Sequence, residues 1–64
     1  MVKIILREVR KGKNLSIKQL SILSGVSTGH ISNIENGLKM PTIDILVRLA
    51  TALGVKPEEL YYVD

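Results

Sequence analysis

The 64 residues predict an all-α domain of five short helices, with no second domain and no linker between 1 and 64. Three observations carry that expectation. Apolar residues recur at helical spacing, most regularly as Leu46, Leu49, Ala50 and Leu53. Cap-forming residues precede such stretches and glycines close them: Ser16 and Gly25, Thr42 and Gly54. The chain has neither Trp nor Phe, so its interior must be Leu, Ile, Val and Ala, which close-packed helices can bury without disulfides or metal. A chain this short buries only about 60% of its unfolded surface, so its stability should be modest.

Each element has its own signals. The first helix is expected over Met1 to Lys11, with Val2, Leu6 and Val9 at i, i+4 and i+7. Ile4 and Ile5 are β-branched and would also suit a short strand, but the i+4 links favour helix. Gly12 stops it within the turn Lys11 to Asn14. Leu15 then stands before the Ser16 cap, placed to staple onto Leu20, and Gln19 completes a capping box. Leu20 and Leu23 share a face of this second helix, and Gly25 ends it. Val26 is an apolar plug in the turn, and Ser27 caps the third helix. Asn36-Gly37 is a turn signal, and Pro41 keeps the loop from becoming helical. Thr42 caps the fourth helix, with Asp44 at its positive end. Pro57 opens a fifth helix with Glu58 and Glu59 in its first turn and Leu60 and Tyr61 beyond.

The stretch 16–36 carries the functional information. At about 100° per residue, Ile31 and Ile34 point one way, and Thr28, Gly29, Ser32, Asn33 and Asn36 point the other. That outer face is polar, small and uncharged, where an ordinary solvated face would carry Lys and Glu. Asn can pair with an adenine edge, and Ser or Thr can donate or accept. Two short helices with such a second face suggest a recognition helix, at about 28–36, that lies in the DNA major groove.

At this point the residues resemble the Cro/repressor (Xre-like) helix-turn-helix family, with its five-helix, lambda-repressor-like fold. The resemblance runs from about Leu6 to Leu60. It rests on Leu6 with Arg10, Leu20-Ser21 followed by Gly25-Val26-Ser27, Ile31-Ser32 with Glu35-Asn36-Gly37, Pro41, and Leu46 with Ala50 and Leu53-Gly54-Val55. What it implies is a DNA-binding regulator, a repressor at a palindromic operator. Thr28, Gly29, Ser32 and Asn33 take the base-facing positions, with Asn33 the strongest candidate for direct readout. Ile17, Lys18, Ser27, His30, Asn36 and Lys39 take positions that hold the DNA backbone, the first two through N–H groups at a helix start. The family often has Gln where Ile17 stands, and Ala where Ser21 stands. Arg10 is implied to pair with Glu35 as a structural ion pair.

Two copies about one DNA turn apart are the usual way for so small a domain to read a specific site, so a homodimer is expected. Its seam is placed at Leu60, Tyr61, Tyr62 and Val63, with Leu38 or Met40 nearby. Tyr offers large area with a polar tip. The alternative is an antitoxin or protein-interaction module of the same fold, whose partner would be a toxin or other protein antagonist.

Composition narrows the other classes. The formal charge of +3 suits a polyanion but only mildly. With no Cys and a single His, neither a disulfide framework nor a thiolate or His-cage metal site is expected. No cofactor is implied. No paired acids, nucleophile–base set or phosphate-cradling glycine loop suggests an enzyme. No apolar run suits a membrane span, no signal peptide pattern opens the chain, and a cytoplasmic protein is the default expectation.

Overall fold

The computed structural model describes residues 1–64. In chain order it has β1 (Val2–Ile4), α1 (Leu6–Gly12), α2 (Ile17–Ser24), α3 (Thr28–Glu35), α4 (Ile43–Leu53), a 3-10 turn (Pro57–Leu60) and β2 (Tyr61–Val63). The fold is therefore mostly helical rather than all-α, with four α-helices rather than five. The two strands pair antiparallel, with Val2 opposite Val63, Lys3 opposite Tyr62 and Ile4 opposite Tyr61.

The first helix is thus shorter than expected, and the fifth is a single turn. β-branched Ile4 and Ile5 and the run Tyr61-Tyr62-Val63 all fit a pleated surface. Each strand finds its partner only at the other end of the chain. Ile5 N–H donates to the Leu60 carbonyl at 2.9 Å, and Asp64 N–H to that of Met1 at 2.7 Å. Val2 is consequently not part of a helical stripe and stays exposed.

The inner helices follow the sequence signals closely. Ser16 Oγ accepts from Gln19 N–H at 3.0 Å, and Gln19 Oε1 accepts from Ser16 N–H at 2.7 Å, closing the capping box. Ser27 Oγ accepts from His30 N–H, and Thr42 Oγ1 from Ile45 N–H. Gly25 (φ +74°) and Gly54 (φ +72°) end α2 and α4 in the left-handed region, where a Cβ would be strained.

One apolar cluster fills the centre: Leu6, Leu20, Val26, Ile31, Ile34, Leu49, Ala50, Leu53 and Leu60. Full burial of each such Leu or Ile is worth about 1.5–3 kcal/mol. Two expectations need correction here. Leu23 does not share the buried face of Leu20 but is 59% exposed. Leu60 is completely buried and offers no surface to a partner subunit, because it plugs the core where the 3-10 turn meets α4.

Candidate nucleic-acid interface

The candidate interface is built on the turn between α2 and α3. Gly25 reverses the chain, and Val26 inserts into the core, which pins the turn. Ile31 and Ile34 then fix the rotation of α3 by being buried. Thr28 and Gly29 are exposed on the opposite side, with Ser32 and Asn33 half-buried and Asn36 exposed just past the helix end. Around the position a Gly29 Cβ would take there is nothing within 4 Å, so this spot faces open space. The face read from periodicity is therefore the outward one.

The other end of α3 is locked from within. Arg10 is only 8% exposed. Its Nε donates to Glu35 Oε2 at 2.7 Å and its Nη2 to Glu35 Oε1 at 2.9 Å, a bidentate pair. Its Nη1 donates to the Leu15 carbonyl at 2.8 Å. One guanidinium thus ties α1 to the entry of α2 and the last residue of α3. The pair implied by the family resemblance is present.

Arg7 is the residue that sequence reasoning missed. In the fold its Nε donates to Glu35 Oε1 at 3.3 Å and its Nη2 to Asn36 Oδ1 at 2.6 Å. The available signal was spacing: Arg7 stands three residues before Arg10, so both reach the same side of α1. Burial pushes the Glu35 carboxyl up, but the hydrogen bonds and charges of Arg10 and then Arg7 outweigh it and hold its pKa below the usual value. The hydrogen bonds that Arg10 donates to Glu35 raise its pKa, with burial opposing them. No buried side-chain N or O lacks a hydrogen-bond partner.

The residues expected at the DNA backbone are distributed as follows. Ile17 is half-buried against the core, so its backbone N–H rather than its side chain is what faces outward chemistry. Lys18 is exposed beside it, Ser27 caps α3, and His30 is half-buried one turn in. Leu38 N–H and Lys39 N–H both donate to the Asn33 carbonyl, which folds the loop back under α3 and leaves Lys39 exposed. Tyr61 is half-buried, and Tyr62 and Val63 are exposed on β2. No group of three His, Cys, Asp or Glu is placed to hold a metal ion, and no helix is long and apolar enough to cross a membrane.

A glycine-turned helix pair whose second helix is fixed inside and polar outside defines a helix-turn-helix DNA-binding fold. The helix-turn-helix family model HTH_3 matches residues 6–60, and the chain belongs to this Xre-like family of DNA-binding regulators. Similar curated proteins include an uncharacterised HTH-type transcriptional regulator of Mycobacterium tuberculosis, 41% identical over 88% of this chain and 40% of the relative. The HTH-type transcriptional repressor RghR of Bacillus subtilis is 41% identical over 89% of this chain and 43% of its own length. The chain thus spans about two-fifths of the length of these relatives. Among solved structures, the restriction-modification controller protein C.AhdI from Aeromonas hydrophila matches with a TM-score of 0.81 and 37% identity, over 84% of this chain and 82% of that one. A putative DNA-binding protein from Bacteroides fragilis matches with a TM-score of 0.87 and 27% identity, over 97% of this chain and 100% of that one.

Proposed function

We propose that residues 1–64 act as one unit, the sequence-specific DNA-binding part of a transcriptional repressor that docks α3 in the major groove of a palindromic operator. The observation that carries this reading is the contrast across α3. Its inner face is fixed by Ile31, Ile34 and the Arg10–Glu35 pair, while Thr28, Gly29, Ser32 and Asn33 stand outward with little bulk and no charge. Asn33 reads an adenine edge, and its amide is left out of the side-chain network that runs from Arg10 through Glu35, Arg7 and Asn36 to Ser32. The N–H groups of Ile17 and Lys18, the Ser27 cap region, His30 and Lys39 hold phosphates, while the Asn36 amide is engaged by Arg7 and Ser32 instead. RghR, a relative named as a repressor, supports repression over activation.

The operator is read by two copies. Leu38, Met40, Ile43 and Val63 are all strongly exposed; the first three line depressions shared with β1, Ile43 opens α4, and Val63 lies on β2 with Tyr61 and Tyr62. This surface, without Leu60, is the proposed seam. Selection of random duplexes by the purified chain tests the whole reading. A two-fold symmetric consensus is expected, and a pool with no base preference would overturn it.

A further inference from the structure

The side chains behind α3 determine more than its position. Both Glu35 oxygens are taken by Arg10 at 2.7 and 2.9 Å. Arg7 adds a longer bond to one of them at 3.3 Å, and its Nη2 lies 2.6 Å from Asn36. A guanidinium can only donate, so the Asn36 amide must present its oxygen to Arg7. The amide is planar, and its nitrogen therefore turns the other way. It reaches Ser32 Oγ at 3.3 Å, one helical turn back. An amide nitrogen can only donate, so Ser32 Oγ accepts. The Ser32 proton is left available to a group outside the protein.

We propose that Arg7 and Asn36 are positioning residues that bias Ser32 to read as a hydrogen-bond donor. This rests on the proposed docking of α3 in the major groove. There, a donating hydroxyl favours an acceptor edge: purine N7, guanine O6 or thymine O4. It disfavours the amino groups of cytosine and adenine. Without the relay, a serine hydroxyl donates or accepts with equal ease and discriminates little. The chain of contacts Arg7, Asn36, Ser32 thus makes a residue on α1, a different helix from the one docked in the groove, a determinant of sequence preference.

The test is duplex selection with the full chain and with Ser32→Ala, Arg7→Met, Asn36→Ala and the Arg7→Met/Ser32→Ala double variant, each checked for folding by thermal melt. Ser32→Ala should erase the preference at one base position. Arg7→Met and Asn36→Ala should each relax that same position by about three-fold, the scale of one hydrogen bond, and leave the others alone. The double variant should match Ser32→Ala at that position. Uniform weakening by Arg7→Met and Asn36→Ala, with the Ser32-dependent preference intact, would mean they are only structural and would overturn the relay. So would a Ser32→Ala consensus identical to the wild type, although the regulator reading would then survive on the remaining positions. A wild-type pool without any consensus overturns the docking reading and the relay together. Asn36 is exposed at the helix end, so its variant remains readable if Arg7→Met unfolds.

Discussion

Glu35 is an acid whose side chain is 1% exposed and which receives hydrogen bonds from two arginines. Removing it leaves Arg10 buried with only the Leu15 carbonyl as a partner. Breaking a buried pair from one side costs about 3–5 kcal/mol, because the remaining charge is left without its counterion. Glu35→Ala should therefore lower the unfolding free energy by about 3 kcal/mol in urea titrations. A loss close to zero would show that the pair contributes as little as a solvated one. Because the folded Glu35 pKa lies below the usual 4.5, its contribution is fully present above that value and disappears as pH falls through the depressed one. Acid titration of wild type and Glu35→Ala should accordingly converge in stability only below pH 4.5. Two surface substitutions separate contact classes. Asn33→Ala should remove about 1–3 kcal/mol of discrimination at one base position. Lys39→Ala should weaken all sequences alike and reduce the salt slope by about 1. An unchanged consensus for Asn33→Ala would rule out its base contact.

At the scale of the element, α3 is where fold and binding can be told apart. Gly29 is a poor helix residue, and a methyl there meets nothing within 4 Å. Gly29→Ala should raise thermal stability, by up to about 1 kcal/mol, while weakening DNA binding by holding the helix away from the groove floor. If affinity is unchanged or improves, close approach at Gly29 is not part of docking. Most of α2, α3 and α4 was legible from sequence, because Ser16, Ser27 and Thr42 cap through bonds three residues away and Gly25 and Gly54 act on their own φ. These are local interactions, and so the sequence signal is local. Spacing puts Leu23 on the face of Leu20, but it cannot say how wide the buried stripe is. α2 buries Leu20 completely and leaves Ile22 and Leu23 to solvent. The ends failed for a different reason. Val2, Leu6 and Val9 imitate a helical stripe, and only β2, at the far end of the chain, decides that Val2–Ile4 is a strand.

At the scale of the whole molecule, the prediction concerns assembly. The exposed apolar residues Leu38 and Met40 line one depression with Met1 to Ile4, Ile43 lines another with Val2, Ile4 and Tyr61, and Val63 pairs with Val2. Analytical ultracentrifugation should show a dimer for the wild type and a monomer for Leu38→Asp with Met40→Asp, with the monomer still folded. A wild-type chain that remains monomeric on operator DNA would remove this seam. Of the candidate site, the outward set Thr28, Gly29, Ser32 and Asn33 was readable from periodicity, and the Arg10–Glu35 pair from family resemblance. What the amino-acid order alone determined was the capped helix pair, its turn and its polar outer face, since each depends on neighbours within one or two helical turns. Only the tertiary structure decided the terminal sheet, the removal of Leu60 from the surface, and the link from Arg7 to Asn36. These join residues far apart in the chain, and no local pattern encodes which distant partner will be present when the core closes.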